Sequence, residues 1–345
     1  MQTEIIKIEN SDDFAVLEKA GEIIRKSGLV AFPTETVYGL GGNALDPEAS
    51  AKIYMAKGRP SDNPLIVHLS DPDEAGLYCE TGDLYHTLSS RFMPGPLTVI
   101  LKKKRLNGRF IIPDETTGGL DSAAVRCPSE PIAHRLISAA GVPIAAPSAN
   151  RSGSPSPTTA EHVIKDLSGR IDMIIDGGPC NFGLESTVVK IEGDSLTILR
   201  PGAVTAEDLE PYCSSVTVSD AEPKPGETPL SPGMKYRHYS PSKSFYLVNG
   251  ADSDVLEFFI DRQNKERCAL IVFEEDAAFL EDRNLFILGT RNDLYSQAHS
   301  LFVCLRDADA SDTDVIYARF PERSGIGLAL YNRLIRACGH NVINL

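Results

Sequence analysis

An aperiodic, proline-rich stretch from about Ser219 to Ser242, SDAEPKPGETPLSPGMKYRHYSPS, constrains the fold more than any other feature, because no regular element can run through it. It holds five prolines, each of which fixes its own φ and removes a backbone donor. A chain of 345 residues also exceeds what one hydrophobic core usually supports. The stretch therefore reads as a linker between two domains, 1–218 and 243–345. Its second half is unlike a solvated linker: Lys235, Tyr236, Arg237, His238 and Tyr239 crowd basic and aromatic groups together. That half is expected to dock, and at roughly 3 Å per residue the segment is long enough to fold back across a domain.

Strand and helix patterns differ on the two sides. Before the linker, strands read at 29–32, 65–69, 97–101, 123–126, 144–146, 173–175, 187–191 and 196–199, the last two joined by a tight EGDS turn. Helices read from a cap at Ser11 or Asp12 to a terminator at Gly28, and near 47–56, 84–91, 132–140 and 160–167. A hairpin among mixed elements predicts an α/β (α+β) domain with a twisted mixed sheet and flanking helices. After the linker, strands at 245–248, 269–273, 285–288 and 315–318 alternate with helices, which predicts a smaller, Rossmann-like parallel α/β domain. The GIG at 325–327 is too short for a dinucleotide fingerprint and reads as a helix start.

The net charge of −14 is spread over both parts, with 20 basic against 29 acidic residues before residue 215 and 14 against 19 after it. Neither part is a basic domain that would hold long nucleic acid through phosphates. The one basic run, Lys102 to Arg105, reads as a solvated strand end. Seven scattered cysteines show no zinc spacing and suit reduced thiols in the cytoplasm; no apolar run is long enough for a membrane span.

Short polar motifs follow the strands. FPTETVYGLGG, from Phe32 to Gly42, reads as a strand end and a turn, in which glycines 39, 41 and 42 permit positive φ and close approach to a ligand. KGRPSDNP supplies Lys57, Arg59 and Asn63, and LIVHL places His68 near a strand end. DSAAVR supplies Ser122 and Arg126; APSANRSGSPS supplies Ala146, Ser148, Asn150 and Ser156; LEST supplies Ser186, and LRPG supplies Arg200. Arginines and a lysine with several hydroxyls, in an otherwise acidic domain, point to a pocket for phosphate and carboxylate.

These motifs, together with AVRCPSEP, GLESTVV, SPGMKYRHYSP and GIGLALYNRLIRA, resemble the YrdC-like family of L-threonylcarbamoyladenylate synthases in its long two-domain form, nearly end to end. The resemblance implies that L-threonine, bicarbonate and ATP, with Mg²⁺, are converted to threonylcarbamoyl-AMP and pyrophosphate, for the N6-threonylcarbamoyl modification of adenosine 37 in tRNA by downstream transfer proteins. It places Thr36, His68, Arg126, Ala146 and Ser186 around threonine, with Arg126 facing the carboxylate. It places Arg59, Asn63, Ser122, Ser148, Asn150, Ser156 and Arg200 around ATP, with Tyr236 or His238 of the linker as a further contact. Lys57 would stand between the two substrates and, with Arg59, carry the chemistry. Joining two anions calls for positioning and positive charge more than for one general base. The linker would then be a lid that shields the adenylate from water. A rival reading, an RNA-binding protein without adenylating activity, is disfavoured by the acidic balance, and a small-molecule sensor is demanded by no motif.

Overall fold

The computed structural model describes residues 2–219, 228–231 and 239–345. They fall into two compact units: one reaches from the N-terminus through the described part of the linker up to Ser231, and the other begins at Tyr239. The short segments Gly153–Ser156 and Phe182–Leu184 group with the second unit.

Among the described residues the first unit is built on an eleven-stranded mixed sheet. Its strands are β1 (Glu4–Lys7), β2 (Val30–Phe32), β3 (Gly39–Asn43), β4 (Ile66–His68), β5 (Leu97–Lys102), β8 (Ser122–Arg126), β9 (Ile144–Ala145), β10 (Met173–Asp176), β11 (Thr187–Glu192), β12 (Ser195–Arg200) and β13 (Ser215–Val218); a small hairpin of β6 (Arg105–Leu106) and β7 (Arg109–Phe110) stands apart. The order is β1-β10-β2-β3-β9-β4-β8-β5-β11-β12-β13.

Alternation along the strands decides what each face carries, since neighbouring side chains point to opposite sides. Leu29, Ala31, Val67, Val99, Leu101, Val125 and Val189 pack into the main core on one face. On the other face, Val30, Phe32, Ile144, Met173 and Ile175 are covered by helix α1 (Phe14–Arg25) and helix Pro131–Ala140. Further along, Ile66, Ile100, Ala124, Val188 and Leu199 form a separate small cluster, against which Leu230 of the linker packs. By the same alternation His68, Thr98, Ser122 and Arg126 share that side with Ile66, Ile100 and Ala124.

Three expectations change. Gly39, Gly41 and Gly42 lie in β3, which pairs antiparallel with β2, and none has a positive φ. Gly41 is glycine for space: a Cβ there would sit 2.7 Å from the Phe32 ring and 2.8 Å from Ile144. Helix α1 is capped by Asp13 at its start and Lys26 at its end, with Ser27 beyond it at φ 60, while Gly28 serves packing against Ile23. The basic run is only partly solvated: Lys103 is buried, bonded to Asp114 Oδ1 at 2.8 Å and Thr117 Oγ1 at 2.9 Å.

The second unit is a five-stranded parallel sheet in the order β16-β15-β17-β14-β18, with β14 (Ser244–Asn249), β15 (Cys268–Phe273), β16 (Leu285–Gly289), β17 (Val315–Arg319) and β18 (Val342–Asn344). Helices Asp252–Lys265, Leu294–Ala310 and Gly327–Ala337 lie between the strands in sequence, the βαβ pattern expected. Six of the seven cysteines are buried. No helix among the described residues is long and apolar enough to cross a membrane.

Candidate active site

The turn joining β2 to β3 is built around Thr34. Its Oγ1 accepts from the backbone N–H groups of Thr36 and Val37, each at 3.2 Å, and donates to Val37 O at 2.6 Å. With that proton used, the Thr36 hydroxyl donates to Thr34 Oγ1 at 2.8 Å and keeps a lone pair, which accepts from Arg126 Nη2 at 3.0 Å. Arg126 ends β8 in register with His68 at the end of β4, and both are buried. Nε of Arg126 donates to Gly95 O at 3.3 Å, while Nη1 donates to no protein group among the described residues.

His68 is held neutral: burial, and next the Arg126 charge, pull its pKa down from 6.5 to about 3. Its Nδ1 lies 3.2 Å from Ile66 O and donates to it, which leaves Nε2 as the acceptor. Ala146 closes this corner, its N–H bonded to Ile66 O at 2.9 Å.

Helix α2 (Pro47–Lys57) starts on an Asp46 cap with Pro47 in its first turn and stops at Gly58, whose left-handed φ of 64 ends it. The stop fixes Lys57 as the last helical residue. Its Nζ donates to Ser148 O, to Asn150 O at 2.6 Å and to Asn150 Oδ1 at 3.3 Å, tying the helix end to the SAN loop. Ser148 Oγ donates to the same Oδ1 at 2.5 Å. Just beyond, Arg59 bonds Asn63 O at 3.1 Å and Pro64 O at 3.0 Å, which folds the GRPSDNP turn over itself. Asn63 is buried, and its Oδ1 accepts no hydrogen bond among the described residues, a state that a ligand donor would relieve.

On the far side Ser186 and Arg200 are joined directly: Arg200 Nε donates to Ser186 O at 3.0 Å and Nη2 to Ser186 Oγ at 3.1 Å. Thr98 Oγ1 lies 2.7 Å from the same hydroxyl. Ser122 stands four residues before Arg126 on the same face of β8, a span of roughly 13 Å at strand rise. The structure thus groups Thr36, His68, Arg126 and Ala146; Lys57, Ser148 and Asn150; Arg59 and Asn63; and Ser186 and Arg200. Ser156 is buried in the segment that groups with the second unit. Tyr236 and His238 lie outside the described residues.

Sequence reasoning assigned no role to Glu35, Thr34 or Thr98. Thr98 is a lone hydroxyl in an otherwise apolar strand, LTVIL, and that was a usable signal. Glu35 is buried with its carboxylate 2.8 Å from Arg126 Nη2; the contact is ionic, since neither oxygen accepts a directed hydrogen bond among the described residues. Among the described residues no group of three or more His, Cys, Asp or Glu could hold a metal ion. Buried cations beside hydroxyls and spare donors can bind a carboxylate and phosphates in one place.

The chain is similar to known proteins over nearly its whole length. Residues 22–202 match the Sua5/YciO/YrdC family model, described as "Telomere recombination", and residues 204–339 match the Sua5 C-terminal model, described as "Threonylcarbamoyl-AMP synthase, C-terminal domain". A threonylcarbamoyl-AMP synthase of Bacillus subtilis is 43% identical over 95% of this chain and 94% of its own length. One of Pyrococcus abyssi is 40% identical over 99% of this chain and all of its own. The crystal structure of P. abyssi Sua5 complexed with L-threonine superposes with a TM-score of 0.90 at 39% identity, covering 99% of this chain and 100% of the other.

Proposed function

The chain belongs to the Sua5/YciO/YrdC family, in the two-domain form that carries the Sua5 C-terminal domain, and from that premise we propose that it is an L-threonylcarbamoyladenylate synthase. It joins L-threonine, bicarbonate and ATP into threonylcarbamoyl-AMP and pyrophosphate, acts in the cytoplasm, and passes its product to proteins that modify tRNA. The observation that carries the reading is Arg126: a buried guanidinium fixed through Nε and Nη2, with Nη1 left to meet a carboxylate, beside a neutral histidine.

Threonine binds with its carboxylate on Arg126 Nη1 and its hydroxyl donating to His68 Nε2. Thr36, Ala146 and Ser186 shape the rest of its pocket. Lys57, at the junction of α2 and the SAN loop, stands between threonine and ATP. Arg59, Asn63, Ser122, Ser148, Asn150 and Arg200 hold the nucleotide, with Asn63 Oδ1 as an acceptor for a base or ribose donor. The threonine amine condenses with bicarbonate to a carbamate, forming the C–N bond and releasing water; the carbamate then attacks the α-phosphorus with one oxygen, a new P–O bond forms, and the bond to pyrophosphate breaks. Lys57, Arg59 and Arg200 offset the charge of two anions brought together, which is where most of the barrier lies. Mg²⁺ entering with ATP would offset part of the triphosphate charge as part of that substrate.

Leu230 of the linker is seated on the Ile66, Ile100, Ala124, Val188 and Leu199 cluster, and this contact supports the reading of the linker as a lid; its KYRH segment lies outside the described residues. The test is pyrophosphate release by the full-length protein with each substrate omitted in turn. The reading requires release to depend on ATP, threonine and bicarbonate together. Tight, salt-dependent tRNA binding without such turnover would favour the RNA-binding alternative.

A further inference from the structure

Glu35 has no part in the scheme above, yet it sits at its centre. Its side chain is 3% exposed, its carboxylate lies 2.8 Å from Arg126 Nη2, and neither of its oxygens accepts a hydrogen bond among the described residues. Withdrawing a carboxylate from water without directed donors is costly, so its retention calls for a reason. Holding Arg126 in place is a weak one, because Gly95 O and Thr36 Oγ1 already fix that guanidinium from two sides. The charge is what remains. His68, the other ionisable neighbour along the strand pair, is neutral. Arg126 and Glu35 therefore form a buried pair with no net charge. The negative field of Glu35 also reaches Glu130, the cap of helix Pro131–Ala140; burial first, and Glu35 as a lesser contributor, raise that carboxyl to about 7.

We propose that Glu35 makes this subsite selective for a zwitterion: by cancelling the charge of Arg126 it leaves the pocket unable to hold a carboxylate unless the ligand brings its own cation, as the α-ammonium of an amino acid does. A lone buried arginine would accept any small carboxylate of the right shape, hydroxy acids included. With Glu35 present, such an anion leaves one uncompensated negative charge on the Arg126–Glu35 pair, whereas threonine bound as its zwitterion, before bicarbonate captures the amine, leaves none; the charge of the later carbamate falls to Lys57 and not to this pair. Glu35 is a positioning and specificity residue that acts through Arg126. The inference rests on the reading of Arg126 as the carboxylate-binding group.

Calorimetric titration of the full-length protein with L-threonine and with 3-hydroxybutanoate, which is threonine without its amine, tests this directly. The wild type should prefer threonine by about 100-fold or more. In Glu35→Gln, which keeps the shape and removes the charge, that preference should fall at least about tenfold, with 3-hydroxybutanoate binding more tightly than to the wild type. A purely structural Glu35 would weaken both ligands alike, and an unchanged ratio in Glu35→Gln overturns the proposal. Should that variant not fold, the wild-type ratio decides alone: a preference below about tenfold is incompatible with a compensated site. A wild type that binds 3-hydroxybutanoate through Arg126, but threonine no better, sinks the role of Glu35 and spares that of Arg126. Binding of neither ligand sinks both.

Discussion

Arg126 and Arg319 occupy equivalent places and have opposite fates. Each is the last residue of a strand, each is buried, and each faces a buried carboxylate. Arg319 is engaged through every nitrogen: Nε and Nη2 bond the two oxygens of Asp276 at 2.8 and 2.6 Å, and Nη1 bonds Asp252 Oδ1 at 3.0 Å. Arg291 reinforces the cluster through Asp276 at 3.2 Å and through Asp252. This network fills the carboxyl ends of β15 and β17, adjacent strands where ligands of open parallel sheets commonly bind. Arg126, by contrast, keeps Nη1 unused among the described residues and touches a carboxylate that does not receive its N–H. A buried arginine is thus a binding group or a brace according to how many of its donors the protein consumes.

The sharpest way to break the comparison is to remove charge where it should be chemical. Lys57→Ala is expected to lower the turnover number for pyrophosphate release by about 10³-fold. Circular dichroism should still report a folded chain, and turnover within tenfold of the wild type would place the chemistry elsewhere. Next comes the brace. Arg319→Met strands Asp276 without its bidentate partner and should cost about 3–5 kcal/mol in chemical denaturation. A loss under about 1 kcal/mol would mean that the network is no brace.

The smallest expected effect concerns His68. His68→Leu should reduce the preference for threonine over 2-aminobutanoate about 10- to 100-fold in kcat/KM, with the loss of a neutral acceptor for the hydroxyl. Its pH signature has a definite sign. The folded pKa of about 3 lies below the ordinary 6.5, so the unfolded chain binds the extra proton between these values. Stability should fall as pH drops from about 6.5 towards 3, by up to about 1.4 kcal/mol per unit from this group, and not change through it above pH 7. His68→Leu should flatten that limb of the stability profile by the same amount.

Much of this was legible in the chain. Strands such as LTVIL and SAAVR announce themselves by length and apolar character, and KGRPSDNP, SAN and LEST mark what stands at their ends. β3 was not legible, because glycines 39, 41 and 42 are the local signature of a turn; only the crowding of Phe32 and Ile144 in three dimensions makes them a strand. β1, four residues with a mostly exposed pattern, owes its existence to pairing with β10, some 170 residues away. The difference between Arg126 and Arg319 is likewise absent from the sequence, since it depends on which oxygens reach which nitrogens after folding. Glu35 was visible as a letter in TET, but its meaning lies in a contact with a strand ninety residues on.

The most direct test of the account compares threonine-dependent pyrophosphate release by full-length wild type, Arg126→Met and Arg319→Met, normalised to folded protein, at saturating ATP and bicarbonate. Arg126→Met should lose about 10²- to 10³-fold in kcat/KM for threonine, while Arg319→Met stays within about twofold of the wild type. Wild-type efficiency in Arg126→Met, or an equal loss in Arg319→Met, would contradict it.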